Sequence, residues 1–244
     1  MLYRLAALLM SVALCGCDRS EPDVAPDVVQ HGAMRAVMRE GLTEARISMT
    51  GAAGEPHAYA VGALEGLDGE ITIVDGEVWI ARPEGEGLVV TGPGAVDGDQ
   101  ATLLTLAHVA EWRSVPIETS VEGSALESLI EEAARARGID TSMPFPFVIE
   151  GELPGVDLHV TNGYCPIATD PSTVDAQPWS WTSPGPIEAV IVGFYAPDAG
   201  GVMTHHGTSI HAHAVLQIDG KTVTGHMNQV SVVPGMTLRV PAAD

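Results

Sequence analysis

Basic residues are scarce in this chain of 244 residues: 11 Lys and Arg stand against 32 Asp and Glu, giving a formal charge of −21. A polyanion of that strength repels a phosphate backbone, which excludes nucleic acid as a partner. The same field disfavours anionic substrates and favours cations, so an anionic substrate needs local compensation. Lys221 is the only lysine, and it sits beside a turn. Schiff-base and pyridoxal chemistry need a buried lysine amine, so both are excluded. Aromatic residues make up only 5% of the chain, and Gly, Ala and Val patterns read more clearly as strands than as long helices. The length allows one large domain or two small lobes.

Long apolar runs are also missing, apart from Leu5 to Leu14, which is too short to span a bilayer well. Preceded by Met1-Leu-Tyr-Arg4, this run reads as a secretory signal. It ends in Leu14-Cys15-Gly16-Cys17, which resembles the lipobox of bacterial lipoproteins. The resemblance implies cleavage before Cys17, lipidation of its sulfur, and an exported protein anchored in the periplasm or cell envelope. Residues 1–16 are then a signal peptide of lipoprotein type, and 17–27 a lipidated Cys with an acidic tether. Loss of Arg4, with no acid lost, takes the mature charge to −21 − 1 = −22. Cys165 alone would keep its thiol, so no intramolecular disulfide forms, and it is given no catalytic role.

The remainder reads as an α+β chain in two lobes of mixed or antiparallel sheet, 28–142 and 143–244, with a few short helices. Val28 to Glu40 reads as a helix stopped by Gly41. Glu70-Ile-Thr-Ile-Val-Asp75-Gly76-Glu-Val-Trp-Ile-Ala81 is an Asp-Gly hairpin. Its count pairs Ile73 with Val78 and Ile71 with Ile80 on an apolar face, and sends Glu70, Thr72 and Trp79 the other way. Gly85 to Gly98 reads as loop, and Ala101 to Trp112 fits strand or short helix equally. Ser124-Ala-Leu-Glu127 is a capping-box pattern with Ser124 as N-cap, opening a helix that stops at Gly138. Phe147 to Leu153, Leu158 to Thr161, Ala189 to Tyr195 and Thr237 to Val240 read as strands, and Asp170 to Pro186 as loop.

A second Asp-Gly turn, Asp219-Gly220, carries the chemistry. Counting outward from it pairs Ile218 with Lys221 and His213 with His226. His211, two residues from His213, shares their face. Directly opposed Cβ atoms lie about 4.5–5.5 Å apart. Three imidazoles so placed suit a three-His metal site with open positions. Zn²⁺ is favoured, and Mn, Fe, Co and Ni also accept N and O donors. His205 and His206 read as loop residues near that site. His31, His57 and His108 have no patterned partner.

The segment Gly62-Ala-Leu-Glu-Gly-Leu67-Asp68-Gly69-Glu70, then Asp75-Gly76, resembles α-acetolactate decarboxylase. So do Val190-Ile-Val-Gly193-Phe194-Tyr-Ala-Pro197, His211-x-His213 and Gly225-His226, in the family's order. The resemblance implies that His211, His213 and His226 bind Zn²⁺. It places Glu70 at the metal as a proton-transfer group or extra ligand. It also implies loss of CO₂ from a 2-hydroxy-3-oxo acid, acetolactate, through a metal-stabilised enediolate, giving acetoin. Without a usable lysine, a metal is the natural electron sink for such chemistry. The expected partners are a small-molecule substrate and, through Cys17, a membrane; a homodimer is a further expectation.

Two positions depart from the family pattern. His159 stands where the family carries an Arg, and it is read as an acid or hydrogen-bond donor that lacks the bidentate fork for a carboxylate. The family's late Glu has no counterpart before Asp244. Two other readings therefore stay open: a non-catalytic lipoprotein that binds metal or a small ligand, and a metal-hydroxide hydratase or hydrolase. A cupin is disfavoured, because no Glu follows His213 at that motif's spacing.

Overall fold

A computed structural model describes residues 27–52, 54–94, 97–165, 177–242. The signal, Cys17 and the acidic tether up to residue 26 lie outside the described residues. Two antiparallel sheets with short helices make up the fold, as the α+β reading expects. The first sheet contains β1 (Val29–His31), β2 (Ile47–Ser48), β3 (Ala58–Leu64), β4 (Glu70–Val74), β5 (Glu77–Glu84), β6 (Gly87–Thr91) and β7 (Gln100–His108). Its order is β1-β7-β3-β4-β5-β6, with β2 also on β7. The second contains β8 (Trp112–Pro116), β10 (Phe145–Leu153), β11 (Asp157–Val160), β12 (Trp179–Thr182), β13 (Ile187–Tyr195), β14 (Ile210–Ile218), β15 (Lys221–Gln229) and β17 (Thr237–Pro241). Its order is β12-β11-β15-β14-β13-β10-β17-β8. A two-stranded ribbon joins β9 (Val121–Glu122) to β16 (Ser231–Val232). The helices are α1 (Met34–Glu40), α2 (Met49–Ala52) and α3 (Ser124–Arg135).

Both Asp-Gly hairpins form in the register read from sequence. Ile71 pairs with Ile80 and Ile73 with Val78; His213 pairs with His226 and Ile218 with Lys221. Asp75 and Gly76 take φ of 50° and 79°, and Asp219 and Gly220 take 50° and 76°. Two consecutive positive φ values are what a type I′ turn requires, and Asp-Gly supplies them at low cost.

The two sheets pack face to face. One side of the second sheet meets α3 in the main apolar core, where Phe145, Phe147, Ile191, Ala214, Leu126 and Ile130 are fully or almost fully buried. Its other side meets the first sheet through Tyr59, Val61, Val148, Val192 and Phe194. β15 and β14 contact β4, so the polar face of the His hairpin lies against Glu70 and Thr72, not in water. The opposite, aliphatic side of β4 and β5 builds a separate core with Ile71, Ile73, Val78 and Ile80.

Several local expectations change. The predicted helix from Val28 splits: Val29–His31 pairs with β7, Gly32 turns the chain at φ 73°, and the helix begins only at Met34. The predicted loop 85–98 contains edge strand β6, and the described part of the predicted loop 170–186 contains β12. The segment left open at 101–112 is strand up to His108. Ser124 is not the N-cap; Gly123 is, with no side-chain cap, and Glu127 instead accepts a hydrogen bond from Thr208 Oγ1 at 2.6 Å. The sheet changes between His108 and Trp112. Thus β8 and α3, assigned to the N-terminal lobe by sequence, pair with β17 or pack on the second sheet.

Candidate metal centre

The hairpin fixes three ligand positions through backbone register alone. His211 and His213 lie two apart on β14, and His226 lies opposite His213 on β15. One ring nitrogen from each falls within 4.8 Å of the others. All three side chains are buried, His213 completely. Gly225, the residue before His226, lets β11 approach closely. A Cβ there would stand 2.7 Å from the His159 carbonyl oxygen.

Burial in this cluster holds the imidazoles neutral. Desolvation, followed by the neighbouring histidines, pushes His211 and His226 well below the ordinary value. Desolvation also takes His213 to about 3. Neutral imidazole is the form that ligates a metal. Among the described residues, His211 Nδ1 and His213 Nε2 are buried without a hydrogen-bond partner. An orphaned buried nitrogen costs about 1–3 kcal/mol, so a metal ion is the natural partner for both.

The outer nitrogen of His213 is held from the other sheet. Nδ1 lies 3.0 Å from Thr72 Oγ1, and Thr72 Oγ1 accepts from Thr224 Oγ1 at 2.8 Å. His213 also makes a backbone hydrogen bond with Ile71. An imidazole that offers Nε2 to a metal carries its proton on Nδ1, and these oxygens stand ready to accept it. Neither threonine was singled out from sequence, although Thr72 and Thr224 fall on the faces assigned to them there.

Glu70 enters from β4, and only 4% of it is exposed. Its Oε1 accepts from the Thr161 N–H at 3.3 Å, and Oε2 lies 3.7 Å from His213 Nε2, too long for a hydrogen bond. Desolvation pushes its carboxyl up to about 8, only partly offset by the Thr161 bond. His159, on β11, pairs with His226, and their ring centroids are 4.8 Å apart. Its Nδ1 lies 2.6 Å from Asn228 Oδ1. Desolvation takes it down to about 4 despite that bond. Burial therefore favours the neutral ring near pH 7.

All five residues selected from sequence meet in one place. Glu70, His159, His211 and His226 border a cavity of about 10 Å³, roughly the volume one water needs. His213 lies behind it. His205 borders the same cavity, with its ring 5.3 Å from that of His226. It lies on the turn after β13, so no strand periodicity marks it. His206 lines a neighbouring cavity of about 130 Å³ with Arg35 and Arg39 of α1. Met34, Met38 and His205 border both spaces, so they form the wall between this cavity and the histidines. A third space, a groove of about 490 Å³, runs past Glu127, Thr208 and Asn228 to His205 and His226. His57 lies away at a hairpin tip, 3.2 Å from Asp75.

Residues 28–243 match the family described as alpha-acetolactate decarboxylase. The chain belongs to that family. The structure of alpha-acetolactate decarboxylase from Bacillus subtilis strain 168 superposes with a TM-score of 0.66 at 16% identity, covering 88% of this chain and 84% of that one. Acetolactate decarboxylase from Bacillus subtilis subspecies spizizenii gives a TM-score of 0.64 at 18% identity, covering 88% and 85%. A Staphylococcus aureus protein of unknown function, described as similar to alpha-acetolactate decarboxylase, gives 0.61 at 16% identity, covering 89% and 84%. Identities this low speak to the acetolactate decarboxylase fold alone. Comparison with curated protein sequences finds no match.

Proposed function

We propose that this family member is a metal-dependent carbon–carbon lyase that converts acetolactate, a 2-hydroxy-3-oxo acid, to acetoin and CO₂. The observation that carries the reading is the joint burial of three convergent imidazoles with the carboxyl of Glu70 beside them. His211, His213 and His226 would hold Zn²⁺ or a similar divalent ion, whose charge would offset the negative charge developing on substrate oxygen. Thr72 and Ile71 orient His213. Thr161 fixes one oxygen of Glu70, and the other oxygen stays on the histidine side.

One proton must enter for each CO₂ that leaves. The C–C electron pair passes onto oxygen, and carbon then takes a proton. Glu70, buried with one oxygen on the histidine side and its carboxyl raised by desolvation, would deliver that proton and recover it from solvent afterwards. Arg35 and Arg39, lining the cavity next to the histidines, would supply the local compensation that an anionic substrate needs in a chain of −21. The test is acetoin and CO₂ formation from racemic acetolactate by metal-replete protein, with loss in His213→Ala. No turnover by metal-replete protein sinks the substrate assignment. Tight metal binding without turnover on a panel of 2-hydroxy-3-oxo acids would leave a non-catalytic binding protein.

We also infer an exported, lipid-anchored protein, from the signal and Leu14-Cys15-Gly16-Cys17. Cys17→Ser should move the protein from the membrane fraction to the soluble envelope fraction; an unchanged distribution removes the anchor.

A further inference from the structure

The side chains of Asp157, Asn228 and His159 form a chain that the proposed reaction leaves unused. Along β11 and β15, Asp157 pairs with Gln229 and Leu158 with Met227. Asn228 is therefore the extra residue of a β-bulge, a device that redirects a side chain. Its amide reaches both neighbours on β11: Nδ2 donates to Asp157 Oδ1 at 2.9 Å, and Oδ1 lies 2.6 Å from His159 Nδ1.

The polarity of this chain follows from its end. A carboxylate only accepts hydrogen bonds, so Asp157 takes the NH₂ of Asn228. The amide oxygen must then face His159, and it too only accepts. The proton therefore sits on His159 Nδ1. On a singly protonated ring Nε2 then carries the lone pair, with the His226 ring 4.8 Å away between centroids. The ring borders the cavity shared by Glu70, His211 and His226.

We propose that Asp157 and Asn228 lock His159 as the Nδ1–H tautomer, so that its Nε2 offers the site a hydrogen-bond acceptor and selects ligands that bring a hydroxyl there, not a carboxylate. This rests on the reading of the cavity as the substrate side of a metal centre. It inverts the polarity of an arginine at the same position, which has five donors and no acceptor. Asp157 and Asn228 are positioning residues; His159 touches the ligand.

Long-range ¹H–¹⁵N NMR on ¹⁵N-histidine protein reads the tautomer directly, in metal-free and Zn²⁺-loaded samples at pH 7.5. The His159 signals are assigned by their loss in His159→Gln. Wild-type protein should give the Nδ1–H pattern, and Asn228→Leu should shift it toward Nε2–H. A wild-type ring that is Nε2–H or doubly protonated overturns the proposal. Competition binding to the Zn²⁺-loaded protein then uses acetoin as the hydroxyl ligand and pyruvate as the carboxylate without hydroxyl. His159→Arg should move the acetoin-to-pyruvate preference at least tenfold toward pyruvate; an unchanged ratio overturns the selectivity. The wild-type spectrum needs no turnover, so a failed acetoin assay with an Nδ1–H ring would remove the substrate assignment and leave this tautomer standing.

Discussion

Thr72→Val tests whether the first sheet orients the metal ligands of the second. Valine keeps the shape and removes one hydroxyl from a fully buried position. Thr224 then loses the acceptor it uses at 2.8 Å, and it too is fully buried. His213 Nδ1 loses its 3.0 Å partner but keeps its backbone bond with Ile71. The cost falls mainly on the stranded Thr224 hydroxyl, about 1–3 kcal/mol. At about 2–4 °C per kcal/mol for a chain of this size, the melting temperature of the metal-free protein should drop by roughly 2–12 °C. Loss of an outer-shell partner typically lowers metal affinity about 10–100-fold. With Ile71 still in place, the lower end is expected. A chelator-competition titration reads the affinity, and thermal unfolding in EDTA reads the stability. Thr72→Ser should restore both. Adding Thr224→Val removes the stranded hydroxyl, so the double variant should be no less stable than Thr72→Val. An affinity unchanged within twofold, with a normal fold, would refute the claim that Thr72 orients His213.

Glu70→Gln keeps the shape and the Thr161 contact but carries no transferable proton, so turnover should fall about 10²–10⁴-fold while metal content stays near wild type. Undiminished turnover at equal metal content would remove Glu70 as the proton carrier. Metal-free protein should lose stability as pH falls below 6.5, because unfolded histidines take protons that the buried ones refuse. For His159, held near 4 in the fold against 6.5 unfolded, the loss amounts to about 3 kcal/mol by pH 4 at ~1.4 kcal/mol per pH unit. Glu70 acts oppositely, since a carboxyl raised to about 8 gains stability as pH falls from 8 to 4.5, but one carboxyl is set against five depressed histidines, His205 included. Urea midpoints in EDTA that stay flat from pH 7 to 4.5 would contradict this balance. Gly225→Ala drives a Cβ to within 2.7 Å of the His159 carbonyl, and overpacking of this kind costs about 1–3 kcal/mol. Denaturant unfolding should register it, with weakened metal binding as β15 shifts; wild-type stability would mean that β11 yields freely.

Register was legible wherever an Asp-Gly turn fixed it. One such turn set His213 opposite His226, and the other put Glu70 and Thr72 on one face. Period-two alternation cannot say what covers a polar face, and here the two polar faces cover each other. β6 and β12 were hidden because edge strands in Gly- or Pro-rich sequence carry little apolar pattern. β1 read as helix because three residues are too few to show a period before Met34 starts a true helix. The Asn228 bulge was invisible, since it depends on how β15 meets a strand far away in sequence. His159 was found only through its resemblance to a family position, and its acceptor polarity comes from Asn228.

The three histidines lie on one hairpin, whereas Thr72 reaches His213 across 141 residues of chain. Hairpins form within about 1–10 μs, and pairings so distant in sequence come much later. The three imidazoles can therefore come together before the sheet that carries Glu70 docks against them. Any metal held there would meet Glu70 only when the sheets dock, so under the function proposed above an unfinished molecule would be chemically silent.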